Sequence, residues 1–118
     1  MITELAKELH QRARDKGFWD DMEEALADSV KHRDVIRAAF ICQKLALIGS
    51  ELGEAVEALR SPGPCKKIPE ITSFEEEFVD VLIRLLDLGG FLKIDIDQVL
   101  KLKDEYNAGR PIKHSKLF

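Results

Sequence analysis

Two pairs of acidic residues, each pair three positions apart, are the side chains of this sequence with the clearest capacity for chemistry. They are Glu51 with Glu54 and Glu77 with Asp80. Residues three apart on an α-helix are surface neighbours, so the carboxylates of each pair repel unless a positive charge lies between them. If the two helices pack together, four carboxylates form an all-oxygen site, which hard cations such as Mg²⁺ or Mn²⁺ prefer.

The helical phase of both segments places these acids beside apolar faces. With about 100° per residue, the apolar stripe of residues 33–60 is centred about 80° from Glu51, so Glu51 borders the core and Glu54 lies further outward. The segment 73–90 is apolar over roughly 220° of its circumference, which predicts a mostly buried helix with Glu77 and Asp80 on its narrow polar strip. The stripe residues of the first helix are Ile41, Leu45, Ile48, Leu52, Ala55, Val56 and Leu59.

Other metals fit the pattern less well. Zinc is less expected because no His or Cys lies at ligand spacing to these acids. A ferritin-like di-iron site uses Glu-x-x-His pairs, and none of His10, His32 or His114 has a Glu three residues before it. Mg²⁺ held by a few carboxylates usually serves a phosphate substrate. The net positive segment 101–118, in which Arg can bind phosphate in a bidentate manner, agrees with such a substrate.

Helical periodicity organises the whole chain. It predicts helices over residues 2–15, 33–60, 73–90 and 95–108, with a break at Gly17 and either a weak helix or a loop over 20–32. Ser73 is predicted to cap its helix with Glu76 in a capping box, and Asp95 to cap the last helix. No strand alternates convincingly. The predicted fold is an all-α, antiparallel helical bundle.

Composition restricts the class of protein. The length of 118 residues predicts a single domain, 1–118, and the net charge of -4 gives no overall attraction to nucleic acid. No run approaches the roughly 20 apolar residues of a membrane span, and the first residues lack the apolar core of a signal peptide. Two unclustered cysteines, Cys42 and Cys65, predict a reduced, cytoplasmic protein.

The order of these motifs resembles the MazG-like nucleoside triphosphate pyrophosphohydrolases of the all-α NTP pyrophosphatase superfamily. That family carries Glu-x-x-Glu on one helix and Glu-x-x-Asp on the next, which correspond here to "ELGE" and "EFVD", with 22 residues between them. The segments "KGFWDD" and "KDEYNAGRP" are also similar to the family. The tail "KHSKLF" resembles a His-Gly-Lys-x-Phe ending but has Ser115 in place of the glycine.

The resemblance implies Mg²⁺-dependent hydrolysis of an NTP or dNTP to the monophosphate and pyrophosphate. Four acids, Glu51, Glu54, Glu77 and Asp80, would be both the metal ligands and the catalytic residues, with Glu51 favoured as the group that takes the proton of the attacking water. The expected phosphate-binding residues are Lys103, Asn107 and Arg110. The resemblance also implies a homodimer or a homotetramer.

Several residues admit two interpretations. Trp19 and Phe18 either stack on a nucleobase or pack the N-terminal segment on the core, and packing is favoured. Asp87 either supports the site or pairs with Arg84 or a lysine. Lys44 is a candidate salt-bridge partner of Glu51.

Other functions are weighed against the hydrolase. A non-catalytic helical oligomer that keeps the fold as a nucleotide sensor or adaptor would be indicated by loss of one acid, and all four are present. The acids could also be solvated or salt-bridged helix flanks. Nucleic-acid binding through the basic tail is disfavoured by the acidic strip.

Overall fold

The computed structural model describes residues 1–118 and is all-α, as predicted. The helices are α1 (Ile2–Asp15), α2 (Asp20–Asp28), α3 (Arg33–Arg60), α4 (Ser73–Phe91) and α5 (Ile96–Ala108), followed by a 3₁₀ turn over Ile112–Ser115. Extended pairing is limited to one isolated bridge between Pro64 and Thr72. Gly17 adopts a left-handed φ of +84° at the predicted break. The segment left open between helix and loop forms α2.

The start of α4 differs from the prediction by one residue. Thr72, not Ser73, is the N-cap: its side chain accepts a hydrogen bond from the Glu75 backbone N–H, and the Glu75 carboxylate accepts from the Thr72 N–H. Thr72 has an extended backbone, as an N-cap requires, whereas Ser73 is already helical. The predicted Ser73 and Glu76 capping box is therefore wrong, and Glu76 instead accepts from the Cys65 thiol.

The last helix is anchored through its first turn. Asp95 caps α5 as predicted, since its carboxylate accepts from the Gln98 N–H. The neighbouring Asp97 carboxylate accepts from the Met1 amine and from the backbone N–H groups of Ile2 and Thr3. These bonds tie the start of α5 to the start of α1.

The core lies where α1, α3 and α4 meet the segment between α1 and α2. Its centre is formed by Trp19, Met22, Ile48 and Leu88. The Trp19 ring stacks on Phe91 with 4.5 Å between centroids, and its Nε1 donates to Asp87 at 2.9 Å. Trp19 is 1% exposed. Trp19 therefore packs in the core, as favoured from the sequence, and nucleobase stacking by its ring stays a prediction.

The bundle leaves much apolar surface uncovered. Only 9 of 118 residues are buried, and the accessible area of 9136 Å² exceeds the roughly 6,500 Å² expected for a compact monomer of this mass. The radius of gyration, 17.5 Å, likewise exceeds the about 13.5 Å expected for this length. The prediction that α4 is mostly buried is wrong for the single chain, because Leu82 and Leu85 are exposed on a side that no other helix covers.

Part of the apolar stripe of α3 is uncovered, although Ile48 packs in the core with Leu88 of α4. Leu52, Val56 and Leu59 are more than half exposed, whereas Ile48 and Ala58 are buried. The face of α3 that meets α4 includes Glu51, which is half-buried. In the single chain, α3 therefore packs on α4 through the side that carries Ile48 and Glu51. The apolar side chains of Leu52, Val56 and Leu59 stay uncovered.

None of the helices combines the length and the apolar character that a bilayer crossing would require.

The crossing of α1 and α4 depends on Gly90. A Cβ at this position would collide with the Ala6 carbonyl oxygen and would lie 2.7 Å from the His10 Cβ. We predict that Gly90→Ala lowers the free energy of unfolding by about 1–3 kcal/mol or more, because two packed backbones must separate. Gly49→Ala is the matched control: nothing lies within 4 Å of its Cβ position, so helix propensity should raise stability by up to about 1 kcal/mol. Urea denaturation measures both, and equal effects of the two substitutions would contradict the close approach.

Candidate metal centre and adjoining groove

Three of the four predicted acids converge between α3 and α4. Glu51 extends from α3, and Glu77 and Asp80 come from successive turns of α4. One carboxylate oxygen of each lies within 4.8 Å of those of the other two, and all three residues are half-buried. The packing of α3 against α4 thus places acids that are 26 or more positions apart in the chain at a common point.

The cluster is electrostatically unfavourable without a cation. Burial raises the pKa of Glu77 above its ordinary 4.5, and so do a hydrogen bond with Glu51 and the charges of Glu54 and Asp80. Burial also raises the pKa of Asp80 above 3.8, with a further contribution from the Glu51 charge. A carboxyl with a raised pKa holds more protons when folded than when unfolded, so its contribution to stability falls as the pH rises above its ordinary value. At neutral pH the cluster therefore opposes folding unless a positive charge compensates it.

Arg84 supplies part of that charge. Its Nε donates to the Glu51 Oε1 at 2.6 Å. Arg84 lies one helical turn beyond Asp80, and its charge opposes the rise in the pKa of Asp80. The predicted partner of Glu51, Lys44, does not pair with it: the Lys44 ammonium donates to the Phe18 carbonyl oxygen at 2.6 Å. The ion pair of Glu51 was misassigned because the sequence shows neighbours along a helix more readily than neighbours across helices.

Glu54 lies outside the group of three. It is exposed, and its effect on the site is electrostatic, since its charge helps to raise the pKa of Glu77. Asp87 does not form the predicted pair with Arg84 or a lysine, and its support of the site stays a prediction. It accepts from Trp19 Nε1 and lies 2.8 Å from His10 Nδ1, which fixes it to the core.

The donor set suits a hard divalent cation. All three groups offer oxygen, and carboxylate oxygen is the preferred ligand of Mg²⁺ and Mn²⁺. The mutual repulsion shown by the raised pKa values of Glu77 and Asp80 is the charge imbalance that a cation would relieve. No His or Cys joins the group, which agrees with the expectation that zinc is disfavoured.

A groove of about 420 Å³ adjoins the cluster between α1, α3 and α4. Glu51 and Asp80 belong to its wall, so the groove opens directly onto the acids. Its remaining wall combines four cations, one further acid, Asp87, and apolar groups. The cations are Arg12, Lys16, Lys44 and Arg84, and the apolar residues are Leu9, Ala13, Phe18, Leu47 and Ile83.

The cations of the groove were not among the predicted phosphate-binding residues. Helical phase could have found two of them: Lys44 precedes Glu51 by seven residues and Arg84 follows Asp80 by four, so each shares a helix face with an acid of the cluster. Arg12 lies on α1 and Lys16 directly follows it, and only the packing of α1 on α4 brings these two residues to the groove.

The predicted phosphate-binding residues of the tail do not reach the acids within one chain. Lys103 and Arg110 both lie against the Tyr106 ring, at 4.9 and 5.6 Å from its centroid. No hydrogen bond or ion pair joins them or Asn107 to the cluster. The Asn107 Oδ1 is buried without a hydrogen-bond partner. The start of α5 is tied to the start of α1, and this attachment keeps the tail residues away from the acids.

Comparison with known proteins adds no relative: no family model, curated protein or solved structure matches this chain. The MazG-like assignment therefore stays a prediction that rests on the sequence motifs.

We predict that a divalent cation bound at the cluster stabilises the folded protein. Saturating Mg²⁺ or Mn²⁺ should raise the free energy of unfolding, by about 2.7 kcal/mol at 100 times the dissociation constant, because the folded state alone assembles the ligands. Glu77→Gln should remove most of this gain while stabilising the metal-free protein at neutral pH. Thermal unfolding with metal and with EDTA measures both effects.

Glu57→Gln is the matched control, since Glu57 is exposed on the same helix as Glu51 and pairs only with Arg60. Equal metal responses of the wild type and the Glu77 variant would contradict a centre at this cluster.

Proposed function

We propose that this chain is an Mg²⁺-dependent nucleoside triphosphate pyrophosphohydrolase, which converts an NTP or dNTP to the monophosphate and pyrophosphate. The observation that carries the proposal is the convergence of Glu51, Glu77 and Asp80 at one end of a groove lined by cations. Such a groove suits a polyanion that binds together with a divalent cation. The order of the acidic motifs, which resembles the MazG-like enzymes, supports the same reaction.

In this proposal Glu51, Glu77 and Asp80 hold the metal, and Glu54 adds negative charge at its outer side. Bound Mg²⁺ would supply charge neutralisation for the triphosphate and a lowered pKa for a bound water. The water oxygen forms a bond to phosphorus as the P–O bond between monophosphate and pyrophosphate breaks. Glu51 is the proposed acceptor of the water proton.

Arg84 is placed to act on both the acids and the substrate. Its Nε donates to the Glu51 Oε1, which leaves the second carboxylate oxygen of Glu51 available to a metal or to the proton of a water. Arg84 also lines the groove, where two oxygens of a phosphate group offer the same bidentate geometry as a carboxylate. We propose that substrate draws Arg84 from Glu51 to a phosphate, where it stabilises the charge that develops in the transition state.

We further propose that the chain acts as a homodimer or a homotetramer. The single chain exposes roughly 2,600 Å² more than a compact monomer of its mass. Burying that excess in two copies gives an interface of roughly 5,000 Å², within the range of obligate assemblies. A second copy would cover the free apolar part of the α3 stripe. Its contact could also bring Lys103, Asn107 and Arg110 of one copy to the groove of another.

Val56→Lys tests the assembly. Val56 is 57% exposed on the α3 stripe. A charge there should weaken association, so the molar mass measured by light scattering should fall from that of a tetramer to that of a dimer or a monomer, or from that of a dimer to that of a monomer. Val30→Lys is the matched control, since Val30 is exposed in the turn between α2 and α3 and lies off the stripe. A wild-type protein that is monomeric at micromolar concentration would contradict the proposal.

Pyrophosphate release from a panel of NTPs and dNTPs tests the reaction itself. We predict release that requires Mg²⁺, stops with EDTA and identifies the preferred base. Asp80→Asn should lower kcat/KM by more than about 100-fold because it removes a metal ligand, whereas Glu54→Gln should lower it by about 10- to 100-fold, the range typical of residues that only support a metal ligand.

Glu57→Gln should retain wild-type activity because its carboxylate is exposed and paired with Arg60. A folded protein that binds Mg²⁺ and nucleotides but releases no pyrophosphate would contradict the hydrolase and favour the nucleotide sensor.

A further inference from the structure

Lys44 is a half-buried cation with no acidic partner. Its ammonium donates to the Phe18 carbonyl oxygen and lies 4.3 Å from the centroid of the Trp19 ring. No carboxylate lies within ion-pair distance of it. An ammonium has three N–H donors, so the bond to Phe18 leaves two without a protein acceptor.

Its surroundings disfavour a purely structural role. Burial lowers the pKa of Lys44, which means that its charge is held at a cost, and the nearby Arg84 charge adds to this effect. The charges of Asp87 and Asp21 act in the opposite direction, but the Asp87 carboxylate is already bonded to Trp19 and His10. An anion in the groove would compensate the Lys44 charge.

Lys44 is placed to reach the far end of a metal-bound anion. It shares a face of α3 with Glu51 and lies two helical turns away, about 10 Å along the axis. Both residues line the groove, with Arg84 on the facing helix. The groove thus offers acids for a cation at one end and, at the other, the Lys44 ammonium together with Asp87, whose carboxylate is bonded to Trp19 and His10.

We propose that Lys44 is, in addition to Arg84, an anion-binding residue of the groove: its free N–H groups bind the oxygens of a polyphosphate coordinated through a divalent cation at Glu51, Glu77 and Asp80. The polyphosphate identity of the ligand rests on the function proposed above. The apolar wall, which includes the 67% exposed ring of Phe18, would receive the uncharged part of the same ligand.

Calorimetric titration of the full chain with inorganic tripolyphosphate in the presence of Mg²⁺ tests this assignment without requiring hydrolysis. The wild type should bind, and Lys44→Met should weaken binding by about tenfold or more, since a charge-assisted bond to phosphate is lost. Lys44→Gln, which can still donate to the Phe18 carbonyl oxygen, should weaken binding as much and serves if the Met variant does not fold. Lys44→Arg should retain most of the affinity.

Lys31→Met is the control, because Lys31 is exposed in the turn before α3, and it should bind as the wild type does. Wild-type affinity in the folded Met or Gln variant would overturn the assignment, and so would the absence of tripolyphosphate binding to the wild-type protein. Pyrophosphate release by the wild type with unchanged tripolyphosphate binding by the Lys44 variants would overturn this inference alone. Binding that depends on Lys44, without release from any nucleotide, would support it and overturn the proposed reaction.

Discussion

Repulsion among Glu51, Glu77 and Asp80 is the constraint on which the rest of this structure depends. Three carboxylates share one point between α3 and α4, and burial raises the pKa of two of them. A fold tolerates such a cluster only if other packing holds the helices in place and a positive charge offsets the acids. The core around Trp19 and the close crossing at Gly90 supply the packing. Arg84, paired with Glu51, supplies part of the charge.

The same constraint accounts for the uncovered surface. Helix α3 directs Glu51 and Lys44 toward the groove, and this orientation leaves Leu52, Val56 and Leu59 exposed. If α3 turned Leu52, Val56 and Leu59 toward α4 instead, Glu51 would no longer face Glu77 and Asp80. The proposed assembly of several copies would resolve the conflict, because each copy could keep a polar groove while its apolar stripe is covered from outside.

Local patterns predicted the elements well and their contacts poorly. Helical periodicity gave the bounds of α3 and the cap of α5, since both depend on residues a few positions apart. It also placed Glu51 at the border of the apolar stripe. The capping residue of α4 was missed by one position because Thr72 and Ser73 are both good caps, and the hydrogen bond that the Ser73 hydroxyl donates to the Pro64 carbonyl oxygen is not visible in the sequence. The burial of Trp19, the Arg84 partner of Glu51 and the separation of the tail from the acids all depend on how helices pack.

Anomalous scattering from crystals grown with Mn²⁺ and a non-hydrolysable dNTP analogue tests most directly whether Glu51, Glu77 and Asp80 bind a metal. The account predicts a manganese peak bonded to carboxylate oxygens of Glu51, Glu77 and Asp80, with Arg84 moved off Glu51 and onto a phosphate oxygen. An analogue bound elsewhere, or a cluster without manganese and with the Arg84–Glu51 ion pair intact at saturating metal, would contradict it.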